Sequence, residues 1–196
     1  MFTGIVEDVG VVATRSTGCV DIAVSDRFLR NVSLGGSVAV NGVCLTIREM
    51  LSNGFRADVS PETTRQTTLG SLRSGRRVNL ERPLTLDRGL DGHLVLGHVD
   101  TIGRISALYR DGDAWALHVS FPPSFAQYVA EKGSIAVDGI SLTCFAVEPD
   151  VFRCSVIRET MERTTLSERH SGDPVNLEFD ILAKYVERTM TNVHRH

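Results

Sequence analysis

The chain has 196 residues, of which 42% are hydrophobic and 23% charged, the composition of a soluble globular protein with room for one or two domains. Its net charge of −3 excludes the basic footprint of a nucleic-acid-binding protein, and no apolar run approaches the ~18 residues that a membrane span needs. The first eight residues lack the basic and apolar stretches of a signal peptide, so we expect a cytoplasmic protein without membrane association.

Short strands separated by frequent turns are predicted over the first half of the chain. A dipeptide typical of a hairpin turn, Asn41-Gly42, separates the third strand from the fourth. Short helices are predicted at Asp26–Asn31 and at Pro61–Thr68, where proline occupies an allowed first-turn position. About six short strands of this kind are typical of a small closed or nearly closed β-barrel. The predicted strands are Val9–Ala13, Val20–Val24, Ser37–Val40, Val43–Ile47, Phe55–Val59 and Arg77–Leu80.

The second half of the chain repeats the first. Ser37–Glu81 and Ser134–Glu178 align without a gap at an offset of 97 and share 20 of 45 residues. The start of each copy is less similar, with Phe2–Val6 set against Val95–Val99. Because the period is far longer than that of a solenoid repeat, we predict two tandem all-β domains, at residues 1–90 and 91–180.

The tail at 181–196 has no counterpart in the first copy. Apolar residues at 181, 182, 185, 186 and 190 give one apolar face to a predicted C-terminal α-helix. Such a helix packs either on its own barrel or against a partner subunit, and we favour the partner. A short helix is also predicted at Pro123–Glu131, and the counterpart of the Pro61 helix begins near Glu159.

Searches for common chemical motifs find none. The sequence contains no dinucleotide-binding or P-loop glycine pattern, no HExxH and no GxSxG. The four cysteines form no CxxC pair, so we expect free thiols and no zinc site. His93 and His98 lie five residues apart, which on a strand would place them on opposite faces and prevent them from binding one metal ion.

Two repeated polar motifs are candidates for ligand binding. The first is Asn/Asp-Gly-x-x-Leu-Thr at 41–46 and 138–143, which is either a turn with its strand or a set of polar groups that bind a planar, amide-rich heterocycle. The second is the Glu-Thr pair at 62–63 and 159–160, at the start of a short helix. There the glutamate suits the helix dipole, or the backbone N–H groups face a ligand.

Several motifs together resemble the riboflavin synthase family. Any one of these motifs is weak evidence, but their order and their duplication together are strong evidence. The match covers both halves of the chain and the C-terminal helix. The motifs are Met1–Val6, Gly42–Thr46, Val78–Arg82, Gly92–Asp100, Lys132–Thr143, Glu162–Leu166 and Val175–Glu187.

The resemblance implies a fold and an activity. The fold would be two tandem six-stranded Greek-key barrels with short helices and a C-terminal α-helix at 181–196 that assembles a homotrimer. The activity would be the dismutation of two molecules of 6,7-dimethyl-8-ribityllumazine, by four-carbon transfer, to riboflavin and 5-amino-6-ribitylaminouracil. It would need no cofactor and no metal, and the enzyme would associate with lumazine synthase. The site would lie between the N-terminal barrel of one subunit and the C-terminal barrel of another.

The resemblance also assigns residues to two pockets. The expected N-half pocket contains Gly4, Ile5, Val6, Cys44, Leu45, Thr46, Asp58, Val59, Ser60, Pro61, Glu62 and Thr63. The expected C-half pocket contains Gly97, His98, Val99, Lys132, Ser141, Leu142, Thr143, Val156, Ile157, Arg158, Glu159, Thr160 and Met161.

Four residues match positions that the family ties to catalysis: Ser37, His98, Thr143 and Asp180. A proton must leave the 7-methyl group of one substrate, which suits His98 or Thr143, and a nucleophile must add to C7 of the other, which suits Ser37 or Asp180 as an orienting group. The alternative is a lumazine protein, which has the same fold and holds a lumazine or flavin without catalysis. An electron-transfer flavin barrel is a third class, but the chain has no nicotinamide or iron–sulfur motif.

Overall fold

The computed structural model describes residues 1–193, and within them two six-stranded barrels precede one longer helix. Both barrels are closed, all neighbouring strands are antiparallel, and the strand order is the same in each: β1-β2-β5-β4-β3-β6 and β7-β8-β11-β10-β9-β12. The predicted all-β fold is therefore confirmed. The first barrel contains β1 (Asp8–Ser16), β2 (Cys19–Ala23), β3 (Ser37–Val40), β4 (Val43–Leu51), β5 (Gly54–Asp58) and β6 (Arg77–Glu81). The second contains β7 (Thr101–Asp111), β8 (Ala114–Ser120), β9 (Ser134–Val137), β10 (Ile140–Val147), β11 (Val151–Val156) and β12 (Pro174–Phe179).

Four α-helices and three short 3₁₀ segments complete the structure of residues 1–193. The helix predicted at Pro61–Thr68 ends at Gln66, because Thr67 is extended and its side chain caps a separate 3₁₀ turn. The segment predicted as a helix at Pro123–Glu131 is a 3₁₀ turn that ends at Tyr128. None of these helices is long and apolar enough to cross a membrane. The helices are α1 (Asp26–Leu29), α2 (Pro61–Gln66), α3 (Arg158–Arg163) and α4 (Ile181–Val193), and the 3₁₀ segments are Thr68–Ser71, Pro123–Tyr128 and Thr165–Glu168.

Each barrel is filled by the inward residues of its own strands. In β4, Val43, Leu45 and Ile47 are buried in the core, whereas Cys44 and Thr46 point outwards. This alternation follows from the two-residue period of a strand. The last strand of each barrel is buried on both faces, since the second face of β6 and of β12 is covered by the other half of the molecule.

Two asparagines join the barrels by matching hydrogen bonds. The Asn79 side chain donates to the carbonyl of Asp138 (3.0 Å) and accepts from the Thr165 amide (2.8 Å). Asn176, its equivalent, donates to the carbonyl of Asn41 (2.8 Å) and accepts from the Thr68 amide (2.7 Å). Because each side chain uses both its donor and its acceptor across the interface, the pair fixes how one barrel sits on the other.

The two hairpin turns meet at the interface between the barrels. Asn41 and Gly42 both have positive φ (45° and 76°), as do Asp138 and Gly139 (46° and 77°), which confirms the predicted hairpin turn and identifies both turns as type I′. A Cβ atom on Gly42 would lie 2.7 Å from the backbone nitrogen of Gly139, and the reverse distance is the same. Only glycine therefore allows the two turns to touch.

The helix α4 has two different sides. Lys184 forms an ion pair with Asp100 (2.6 Å) that attaches the helix to the second barrel. On its other side Leu182, Tyr185 and Val186 are more than 60% exposed. The helix therefore contacts its own barrel and still presents an apolar surface.

Candidate functional site

Two buried glutamates hold two equivalent loops. Glu81 accepts hydrogen bonds from the amides of Thr3 (2.6 Å) and Gly4 (3.0 Å) and from the Thr3 hydroxyl. Glu178 accepts from the amides of Leu96 (2.6 Å), Gly97 and His98 (both 2.9 Å). Burial raises the pKa of both glutamates, while the amide donors favour the ionised form. The backbone of each loop is thereby fixed by a buried carboxylate.

Each loop lies against a strand of the opposite barrel. The amide of Ser141, in the second barrel, donates to the carbonyl of Gly4 (2.8 Å), and the amide of Cys44, in the first barrel, donates to the carbonyl of Gly97 (2.9 Å). A Cβ atom on either glycine would lie 2.6 Å from the Cβ atom of its partner, Ser141 or Cys44. Between the loops, Phe2 and Val95 exchange two backbone hydrogen bonds, of 2.6 and 3.1 Å.

This crossing creates one small pocket on each barrel. The first pocket, a cavity of about 180 Å³, is lined by Val43, Cys44, Glu62, Thr63, Gln66, Thr67, Gly97, His98 and Val99. The second pocket, of about 270 Å³, is lined by Gly4, Ile5, Val6, Ile140, Ser141, Ile157, Glu159, Thr160, Arg163 and Thr164. Apart from the two loops, the first pocket is built by the first barrel and the second pocket by the second barrel.

The structure corrects the sequence-based grouping of the two loops. The segment Gly4–Val6 was expected in the N-half pocket but lines the second pocket, on the C-terminal barrel. The segment Gly97–Val99 was expected in the C-half pocket but lines the first pocket, on the N-terminal barrel. The reason is that each loop precedes the first strand of its own copy and crosses to the other barrel, where Ser141 or Cys44 binds its carbonyl.

Several other expected pocket residues lie away from the two cavities. Leu45 and Leu142 point into the barrel cores, next to their outward neighbours Cys44 and Ser141. Their burial follows from the alternation of the strand, which turns every second residue inwards. Val59, Val156 and Met161 are core residues too.

Polar residues around the two short helices have mainly structural contacts. Asp58 pairs with Arg48 (3.2 Å), and the Ser60 hydroxyl caps α2 by accepting from the Thr63 amide (3.0 Å). Pro61 lies at the exposed start of α2, and Arg158 is exposed and pairs with Glu162 (2.7 Å).

Three expected pocket residues are exposed on the barrels. Lys132 has a φ of +62° and donates its amide to the carbonyl of Cys144. Thr46 and Thr143 are exposed on the same strand faces as Cys44 and Ser141.

The four catalytic candidates fall into two pairs. Ser37, on β3, lies opposite Thr46 on β4. Thr46 in turn is two residues along β4 from Cys44, which lines the first pocket with His98. In the second barrel Thr143 lies opposite Ser134, and Asp180 follows Phe179, which is paired with the neighbouring Ile135. Thr143 and Ser134 are therefore a cross-strand pair, and Asp180 directly follows the strand that neighbours Ser134 on its other side. The Asp180 carboxylate also accepts from the Leu182 amide (2.9 Å) at the start of α4.

The sequence did not reveal His93 as a neighbour of the second pocket. Its Nδ1 atom is 2.7 Å from the Ser141 hydroxyl, and burial lowers the pKa of His93 more than the charge of Asp180 raises it. The segment His93–His98 is not a strand, apart from a single bridge at Val95. The prediction that the two histidines lie on opposite faces of a strand therefore does not apply. The two histidines are nevertheless apart, because His98 lines the first pocket and His93 contacts Ser141 of the second.

Other pocket residues were missed although the repeat contains them. Gln66 and Thr67 line the first pocket, and Arg163 and Thr164 occupy the same positions in the second. Val43 and Ile140 are related in the same way. Extending the aligned motifs along α2 and α3 would have identified the first four, and extending them back to the first residues of β4 and β10 would have identified Val43 and Ile140.

Comparisons with known proteins agree with the duplicated fold. The profile of the lumazine binding domain family matches residues 3–83 and 96–180. The chain is 48% identical to the riboflavin synthase of Mycobacterium tuberculosis H37Rv over 97% of this chain and 98% of that protein. It is 38% identical to the riboflavin synthase of Bacillus subtilis, over 96% and 89%. Its fold is similar to that of LumP complexed with riboflavin (TM-score 0.85, 21% identity, 91% of this chain and 99% of that chain).

Proposed function

The chain belongs to the riboflavin synthase family of lumazine-binding proteins, and we propose that each of its two pockets holds one molecule of 6,7-dimethyl-8-ribityllumazine. The activity is that of a riboflavin synthase: one lumazine gives up a four-carbon unit and the second accepts it, yielding riboflavin and 5-amino-6-ribitylaminouracil. The observation that carries this assignment is the pair of equivalent pockets, because a reaction between two identical substrates needs two similar binding sites.

The two pockets differ in the polar groups they offer to the substrates. His98 lines the first pocket, and Ser37 is on the strand beside Cys44 of that pocket. Beside the second pocket, Thr143 is two residues along β10 from Ser141, and Asp180 follows β12 of the same barrel. We assign proton transfer at the 7-methyl group to the pocket of His98, because an imidazole is the side chain that most often acts as a general acid or base. Asp180 and Thr143 orient the nucleophile that adds to C7 of the other lumazine. Holding the two rings face to face supplies a large part of the acceleration.

The complete site needs a second copy of the chain. The two pockets share no lining residue, and the two catalytic pairs lie on different barrels. We propose that the first pocket of one copy faces the second pocket of another within a homotrimer. The exposed residues Leu182, Tyr185 and Val186 of α4 form the trimer contact, since apolar side chains in such a group are buried by association.

A double substitution tests the trimer. Leu182→Glu with Val186→Glu places two charges in the apolar contact, so sedimentation should show monomers and riboflavin formation should fall at least tenfold. Arg188→Glu, an exposed position of the same helix, is the matched control and should leave the trimer intact. An unchanged trimer in the double variant would overturn the role of α4.

We place the enzyme in the cytoplasm, where the four free cysteines match a reducing compartment. An association with lumazine synthase, which makes the substrate, would shorten the path of the lumazine between the two enzymes. Co-sedimentation of the two purified proteins tests that association.

The competing function is that of a binding protein with the same fold, as in LumP, which has been solved in complex with 6,7-dimethyl-8-(1'-D-ribityl) lumazine. The purified full chain should convert the lumazine to yellow, fluorescent riboflavin with two molecules consumed for each one formed. Stoichiometric binding of lumazine without any riboflavin would favour the binding protein instead.

A further inference from the structure

A polar cavity adjoins the second pocket. It has a volume of about 310 Å³ and shares Ile5, Val6 and Arg163 with that pocket. Its remaining wall carries three more arginines, Arg27, Arg82 and Arg88, and two acids. A ligand that extends from the second pocket past Ile5 and Val6 therefore meets a wall rich in guanidinium groups.

The first of these acids is used to position arginines. Glu7 accepts from the amide and Nε of Arg82 (3.2 and 2.6 Å) and from Nη1 of Arg88 (2.6 Å). Both oxygens of this carboxylate are thus occupied, while neither Nη atom of Arg82 donates to a partner within residues 1–193. Glu7 fixes the two guanidinium groups and leaves donors of both for a ligand.

The second acid is occupied as well. Asp8 accepts from the Val9 amide (2.9 Å) and from the amide and hydroxyl of Ser25 (3.1 and 2.7 Å). Arg27 lies two residues after Ser25 and forms no ion pair with any residue in the described part of the chain. The cavity therefore offers unused positive donors in a chain whose net charge is −3.

At the equivalent position beside the first pocket these charged residues are replaced, which makes that pocket an internal control. There Asp100 replaces Glu7 and binds Lys184, and Phe179 replaces Arg82. Phe179 stacks on Phe125 with ring centroids 5.1 Å apart, and Tyr128 completes the aromatic group. The position equivalent to the arginine cavity is therefore filled with apolar side chains.

We infer that the arginine cavity binds the phosphate of a 5′-phosphorylated ribityl flavin, such as flavin mononucleotide, whose ring occupies the second pocket. Guanidinium groups recognise phosphate by paired charge-assisted hydrogen bonds, and the cavity continues from the second pocket through the shared residues Ile5, Val6 and Arg163. The phosphorylated flavin then competes with lumazine for the second pocket and inhibits the enzyme. This inference rests on the proposed function of that pocket.

Equilibrium dialysis of the full chain against riboflavin and against flavin mononucleotide tests the inference. Flavin mononucleotide should bind at least tenfold more tightly than riboflavin at low salt, and the ratio of the two Kd values should fall as salt is raised. The double variant Arg27→Ala with Arg88→Ala removes two of the four arginines, so it should lower the ratio at least threefold while riboflavin binding is unchanged. The matched control is Arg30→Ala, an exposed arginine beside α1 that does not line the cavity, and it should keep the full ratio.

Inorganic phosphate distinguishes a free anion from the flavin phosphate. At millimolar concentration it should weaken the binding of flavin mononucleotide and leave that of riboflavin unchanged. Equal Kd values for the two flavins in the unmodified chain would overturn the inference, and so would a preference that is as large in the double variant as in the unmodified chain. If riboflavin itself does not bind, it is the proposed function of the pocket that fails.

Discussion

The two barrels have the same backbone framework but different chemistry. Glu81 and Glu178 hold equivalent loops, and Asn79 and Asn176 make equivalent bonds across the interface. The side chains that face the pockets differ, because His98 in the first pocket is replaced by Ile5 in the second. The duplication was therefore kept where the backbone must be fixed and lost where two identical substrates must be treated differently.

A second difference lies at the barrel interface itself. Asp138 and Arg169 form an ion pair in the second barrel at 2.6 Å, with side chains 2% and 8% exposed. Burial raises the pKa of Asp138, and the charge of Arg169 opposes that shift. The equivalent residues in the first barrel are Asn41 and Leu72, which carry no charge. One half of the interface thus contains a buried ion pair where the other half contains none.

The largest effect on stability is expected from breaking this ion pair. Arg169→Leu leaves the buried carboxylate of Asp138 without its partner, so the free energy of unfolding should fall by about 3–5 kcal/mol in urea titrations. The double variant Asp138→Asn with Arg169→Leu recreates the neutral arrangement of the first barrel and should recover most of that loss. A double variant no more stable than Arg169→Leu would contradict this comparison of the two barrels.

The largest effect on catalysis is expected at His98. His98→Ala should lower the rate of riboflavin formation by about 10²-fold or more, the usual scale for losing an acid or base group. Lumazine binding in the second pocket should be unchanged, because His98 lines only the first. His170→Ala, an exposed histidine outside both pockets, is the matched control for the same assay.

A smaller effect is expected from the asparagines that join the barrels. Asn79→Ala removes a donor and an acceptor and leaves the Thr165 amide without its partner, which should cost about 1–3 kcal/mol of stability. Asn176→Ala should cost a similar amount, since its bonds are equivalent. Equal urea midpoints for both variants and the unmodified chain would show that the barrels do not depend on these bonds.

The smallest effect is a dependence on pH that comes from His93. Its folded-state pKa lies below the unfolded value of about 6.5, so the stability it contributes is complete above that pH and is lost as the pH falls. Between pH 7 and 5 the unmodified chain should lose stability relative to His93→Asn, by at most about 1.4 kcal/mol per pH unit. A difference between the two that is independent of pH would contradict the burial of a neutral imidazole.

The sequence predicted the local parts of this structure and missed one long-range feature. The strands and the Asn41-Gly42 turn follow from residue types within a few positions, and the repeat allowed the same prediction to be made for both halves. The crossing of Gly4 and Gly97 to opposite barrels depends on bonds to residues far away in the chain. Since the two loops have similar sequences, the alignment of the two copies cannot distinguish a loop that lies on its own barrel from one that crosses to the other barrel.

The central claim is that one catalytic site combines the first pocket of one copy with the second pocket of another. His98→Ala and Asp180→Asn each damage a different pocket, so each variant alone should retain less than about a hundredth of the activity. When the two variants are unfolded together in equal amounts and refolded, about a quarter of the sites should combine two intact pockets, because the copies assemble at random. Recovery of about a quarter of the unmodified activity would support the shared site. Activity no higher than that of the separate variants would show that each chain builds its site alone.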